Sequence, residues 1–205
     1  MPILTRLTRI ARDAVVAARS GTSGRRRTAV EEILDTVDPA TFRGVMSSFP
    51  TGVGVVTALD EQDQPRGLTC SAIASVSLAP PLLLVCVDLT CGSLRAIRHS
   101  RGFVVNFLSE SAAEVSQTFA SRCDDKFDSV SWTPSRCSGL PVLSSDAVAY
   151  ADCRLEREIV AGDHAILIGL LRDGMVPDND RQPLLYWRRG YATWPAAAAR
   201  ASSTT

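Results

Sequence analysis

Apolar positions fall into short blocks separated by polar or Gly/Pro-containing stretches, and the spacing inside each block predicts its element. Asp38-Pro39 reads as an N-cap followed by proline at the first helical position. Phe42, Val45, Met46 and Phe49 then recur at i, i+3, i+4 and i+7, the stripe of a helix that Pro50 and Gly52 end. Residues 53–59 are β-branched and apolar, polar residues 60–65 with Gly67 make a turn, and 68–76 returns as a second strand. A short apolar strand is expected over 82–88, one or two helical turns over 93–99, and another strand over 103–108. Val115 and Phe119 stand at helical spacing within 111–120, and later strands are expected near 147–160, 164–171 and 184–188. Strands and helices do not alternate strictly, which disfavours a doubly wound parallel sheet. The pattern predicts a mainly β domain with short helices, an antiparallel barrel closed or nearly closed so that few sheet edges remain.

Composition narrows the class. The chain has 205 residues, enough for one domain with tails. Lys+Arg and Asp+Glu are both 22, a formal net charge of zero, which argues against a protein held on nucleic acid mainly by charge. The longest apolar run, 82–87, is far short of the ~20 residues a membrane helix requires. With two histidines, His99 and His164, and six cysteines that form no C-x-x-C pair, no metal site is expected. Reduced cysteines and the lack of a secretory leader point to the cytoplasm.

Charge is uneven. Residues 1–30 hold seven arginines against Asp13 alone, a local balance of +6. This stretch reads either as an amphipathic helix for an acidic partner or membrane surface, or as a poorly ordered leader hinged at residues 21–24. The Ala/Ser/Thr-rich end reads as a frayed tail. The expected organisation is a basic leader over 1–37, a domain over 38–194 and a tail over 195–205.

No G-x-G-x-x-G follows a strand, and neither a Walker loop nor a G-x-S-x-G elbow is present. Asp163 precedes His164, but neighbours on a strand point to opposite faces, so Asp163 is not expected to orient the imidazole. Small polar residues instead cluster at strand ends: Thr51-Gly52, Thr69-Cys70-Ser71-Ala72 and Ser75-Val76-Ser77. Such groups suit a flat ring with polar edges or a phosphate, and they are also ordinary strand-end residues.

Several runs, in order, resemble one family. They are Phe42-Arg43 through Phe49-Pro50-Thr51-Gly52-Val53, Gly67-Leu68-Thr69-Cys70-Ser71-Ala72, and Ser75-Val76-Ser77-Leu78-Ala79-Pro80-Pro81. Phe103-Val104-Val105-Asn106-Phe107-Leu108, Lys126-Phe127, Gly162-Asp163-His164 and the late Pro183-Leu184-Leu185-Tyr186 to Tyr191 follow. Together they are similar to the flavin reductase family, FMN-binding split-barrel proteins that serve two-component monooxygenases.

The resemblance implies a split barrel that moves hydride from NADH or NADPH to FAD or FMN, as a homodimer handing reduced flavin to a monooxygenase. It places Thr51, Gly52, Val53, Thr69, Cys70, Ser71 and Ala72 by the flavin ring, and Ser75, Val76 and Ser77 toward the ribityl phosphate. Cys86 and Asp88 would end a strand at the same site. Ser93 would meet a phosphate at a helix N-terminus, with Arg95 or Lys126 as counter-charge. His164 would position the nicotinamide. Tyr191 would stack beside it or pack in the core. Open alternatives are a non-catalytic flavin- or small-ligand-binding barrel and a structural barrel that binds a partner.

Overall fold

In the computed structural model, residues 36–123, 125–176 and 180–194 are described. The expectations for most of the basic leader and for the tail lie outside them. The chain divides into two compact units, 1–42 and 43–205. Helix α1 (Pro39–Ser47) opens as its sequence predicts, with Asp38 Oδ1 accepting from the amides of Ala40 at 2.8 Å and Thr41 at 3.0 Å. Its apolar stripe joins no core, since Val45, Met46 and Phe49 are all exposed.

Seven strands form the main sheet. In chain order they are β2 (Gly54–Leu59), β3 (Pro65–Cys70), β4 (Ile73–Leu78), β5 (Pro81–Asp88), β6 (Gly102–Leu108), β9 (Ala147–Ala161) and β10 (His164–Met175). Their spatial order is β3-β2-β6-β9-β10-β5-β4, and every pairing is antiparallel. The two outermost strands, β3 and β4, are consecutive in the chain and separated only by Ser71-Ala72. The sheet therefore curls until its edges meet at that connection, where the Cys86 amide donates to the Ala72 carbonyl at 3.0 Å. This is a barrel with one seam. The single strand expected over 68–76 is two strands broken at the seam.

Strands β1 (Thr51–Gly52), β11 (Leu184–Trp187) and β12 (Gly190–Thr193) make a small second sheet, and β7 (Thr133–Pro134) pairs with β8 (Pro141–Val142). Helices α2 (Gly92–Ser100) and α3 (Ala113–Ala120) pack against the barrel.

Neighbouring residues on one strand serve different cores. Val56, Val85, Val87, Leu94, Ile97, Phe103, Val105 and Leu167 share one cluster. Val53, Val55, Leu108, Phe119, Leu143 and Leu184 share another. A strand apolar on both faces needs no polar alternation, which is why 53–59 reads as a continuous apolar run. Each such fully buried side chain contributes about 1.5–3 kcal/mol. Gly67 lets α3 approach β3: a Cβ there would stand 2.6 Å from a Phe119 ring carbon.

Candidate functional site

The end of β5 sets the geometry. Asp88 Oδ1 accepts from both the amide and the hydroxyl of Thr90 at 2.7 Å, and the Cys91 amide donates to the Asp88 carbonyl at 3.0 Å. This tight turn launches α2, whose N-cap Cys91 makes no side-chain capping bond. Ser93, in the first turn, is only 8% exposed. Its hydroxyl has no hydrogen-bond partner among the described residues, although it lines a cavity of about 710 Å³. β3 from Pro65 to Thr69 forms a second wall, and the end of α3 with Arg122, Cys123, Lys126 and Phe127 forms a third.

Charge around this cavity is mostly positive. Arg66, Arg95, Arg122 and Lys126 line it, and Asp88 is the only carboxylate among its described lining residues. Hydrogen bonds from Thr90, with smaller effects from His164 and Arg122, hold the Asp88 carboxyl below the usual carboxylate range. Lys126 Nζ donates to the carbonyls of Phe119 at 3.0 Å and Gly67 at 3.3 Å, which ties the loop after α3 to β3. Thr69 Oγ1 donates to the Ser116 carbonyl at 2.6 Å. Cations and a helix N-terminus without a side-chain cap are groups that favour negative charge.

His164 begins β10 opposite Asp88 and is close to that rim. Its Nδ1 lies 2.7 Å from Asp163 Oδ1, so the expectation that Asp163 does not orient it is corrected. Asp163 belongs to the turn before the strand and is not subject to strand alternation. Gly162 adopts φ +63°, a left-handed conformation that suits glycine, and the carboxylate folds back onto the ring.

The other sequence-derived residues divide three ways. Thr69, Asp88, Ser93 and Lys126 line the cavity. Ser71, Ala72, Ser75 and Val76 are exposed along the seam and β4, with Ser77 half-buried beside them. Thr51 and Gly52 pair with β11, and Val53 is buried in the second core.

Cys70 is buried, with Sγ 3.5 Å from the Cys86 carbonyl and 3.6 Å from that of Ala72. Burial pushes its thiol up to about 11, and burial also raises the half-buried Cys86, so neither is poised as a thiolate. Tyr191 packs in the second core, where its hydroxyl donates to Ser116 Oγ at 2.8 Å. Arg66, Thr90, Arg122 and the Asp163 contact were missed. Arg66 stands at the start of β3 beside a turn and the others lie in turns or loops, where periodicity carries no signal.

Residues 46–195 match the model of the flavin reductase like domain, and the chain belongs to that family. It is 46% identical over 159 residues to a flavin reductase (NADH) of Kitasatospora aureofaciens, covering 78% of this chain and 83% of that one. A flavin reductase (NADPH) of Lentzea aerocolonigenes is 42% identical over 158 residues, covering 77% of this chain and 91% of that one. Among solved structures, the Streptomyces globisporus NADH:FAD oxidoreductase in complex with NAD and FAD fragments superposes with a TM-score of 0.72. Its identity is 32%, over 78% of this chain and 97% of that one.

Proposed function

We propose that this chain is an NAD(P)H-dependent flavin reductase, moving hydride from NADH or NADPH to FAD or FMN and releasing reduced flavin to a separate monooxygenase. The observation that carries the reading is the cationic cavity at the start of α2, lined by Ser93 and by β3 beside the seam. Residues 38–194 are taken as the catalytic domain.

Hydride transfer needs two rings stacked face to face with water kept out; it needs no nucleophile and no general base. The chain's own contributions match that requirement. Ser93 and the α2 amides hold the phosphate, with Arg95 and Lys126 adding positive charge. The backbone and small side chains of Thr51–Val53 and Thr69–Ala72 bound the ring, and Ser75–Ser77 lead toward its tail. Cys70, protonated at neutral pH, fills space. His164, fixed through Nδ1 by Asp163, faces the nicotinamide and positions it, and Tyr191 supports the wall behind Thr69 through Ser116.

A second copy of the chain completes the site as a homodimer. Leu78 is 91% exposed and Val160 63% exposed, and Val45, Met46, Phe49 and Val76 are also open, more large apolar surface than a monomer ordinarily leaves in water. No helix among the described residues is long and apolar enough to cross a membrane, and we assign the protein to the cytoplasm. The deciding assay follows NADH and NADPH oxidation with and without added flavin. Oxidation that depends on flavin is expected. Flavin binding without oxidation would make this a non-catalytic binding barrel, and no binding at all would leave a structural one.

A further inference from the structure

We infer that Cys91 and Cys123 are a redox-sensitive thiol pair, joined by hydrogen peroxide into a disulfide that spans the cavity at the start of α2. The bond forms or fails on the chain alone; its consequence for turnover rests on the flavin reductase reading above.

All six cysteines are free, and the fold sorts them. Cys70 and Cys153 are buried, each thiol donates to a main-chain carbonyl, and burial pushes them up to about 11 and about 12. Burial raises Cys86 as well. Such thiols are slow nucleophiles. Exposed Cys137 lies outside the cavity. Cys91 and Cys123 are the two that line it, one at the start of α2 and the other beyond the end of α3. Neither of their thiols has a hydrogen-bond partner among the described residues. The two backbones are held differently. Cys91 is anchored: its amide donates to the Asp88 carbonyl at 3.0 Å, and its carbonyl accepts from the Leu94 amide at 3.1 Å. Cys123 is exposed, and its amide donates to Ser121 Oγ at a long 3.4 Å. A disulfide needs Cα atoms within about 7 Å, so the approach comes from the Cys123 side.

The exposed thiol meets the oxidant first. The Cys123 sulfur attacks one peroxide oxygen, an S–O bond forms as the O–O bond breaks, and the thiol proton leaves with the second oxygen as water. The Cys91 sulfur then attacks the Cys123 sulfenic acid. An S–S bond forms, the S–O bond breaks, and the departing hydroxide takes the Cys91 proton as a second water. Two thiols and one peroxide thus become one disulfide and two waters. Peroxide is what dioxygen becomes when it takes two electrons from reduced flavin that no monooxygenase has consumed. A bridge between these two walls crosses the space a ligand needs, so unconsumed product shuts down its own source.

The test treats the full chain, without flavin, with hydrogen peroxide and weighs it intact and after proteolysis. Wild type is expected to lose about 2 Da, to yield a peptide linking Cys91 to Cys123, and to return to its starting mass with dithiothreitol. Cys91→Ser should instead accumulate a Cys123 sulfenic acid that dimedone traps, and Cys123→Ser should form no bridge. Flavin-dependent NADH oxidation of the wild type should fall about tenfold or more after peroxide and recover with dithiothreitol. Each variant, measured against its own untreated rate, should keep that rate through the same treatment. Absence of the linked peptide, whether the thiols persist or oxidise separately, overturns the inference and leaves the reductase reading intact. A bridge that forms without slowing turnover overturns the shut-off. No flavin-dependent oxidation before treatment overturns the reductase reading, while the mass still decides the bridge.

Discussion

Around Asn106 and around Ser93 the chain treats the polar groups of two largely buried residues in opposite ways. Asn106 is fully buried in β6. Its Nδ2 donates to the Val55 carbonyl at 3.1 Å and to Thr57 Oγ1 at 3.2 Å, and its Oδ1 accepts from the Leu143 amide at 2.8 Å. Thr57 in turn donates to the Pro141 carbonyl at 2.5 Å. Asp152, equally buried, is satisfied by the hydroxyls of Ser135 at 2.6 Å and Ser138 at 2.7 Å. Ser93 is 8% exposed, and its hydroxyl, which has no partner among the described residues, is reached by solvent through the cavity. A closed network is a fastener that pins loops to the barrel. A hydroxyl open to a solvent-reached cavity at a helix N-terminus pins nothing and is free to exchange its bonds with water or a ligand.

Substitutions can break this contrast. The largest effect is expected from Asn106→Leu, which strands the Leu143 amide and two acceptors in the interior. Stability should fall by about 2–4 kcal/mol in urea unfolding, while the folded fraction keeps its flavin affinity. A loss under about 1 kcal/mol would show that water substitutes for the amide. Ser93→Ala should do the reverse. FMN affinity is expected to drop roughly three- to tenfold in a fluorescence titration, with the unfolding midpoint nearly unchanged. Lost stability with intact affinity would return Ser93 to the core. His164→Ala is the mildest: the KM for the nicotinamide should rise about threefold with little change in the KM for flavin. An unmoved nicotinamide KM in a folded variant would remove His164 from that role.

The barrel was largely legible in the sequence because its strands are apolar runs bounded by turn residues, and such runs report burial directly. Helices α1, α2 and α3 were legible from spacing alone. The break at Ser71-Ala72 was not: both flanking strands are apolar enough to read as one, and only closure of the sheet forces the chain to leave one edge for the other. The site was legible in part. Ser93, Asp88 and Lys126 were reached through resemblance, and the structure brings them to one cavity. Arg66 and Arg122 were invisible, since an arginine at a strand start or in a loop looks like any solvated charge until the fold gives it neighbours. The Asp163–His164 contact was missed for a local reason. One glycine with positive φ placed the aspartate outside the strand whose alternation was used to exclude it.

Strand β4 pairs with β5 on one side and has no strand on the other among the described residues. Its outward row of main-chain amides and carbonyls is the same whatever side chains the strand carries. A guest gripped through that row is gripped by peptide chemistry, so Ser75, Val76 and Ser77 can drift in identity while the grip persists. Mutational tolerance along β4 would then coexist with strict dependence on its backbone path, and a proline in that row would do more harm than any change of side-chain character.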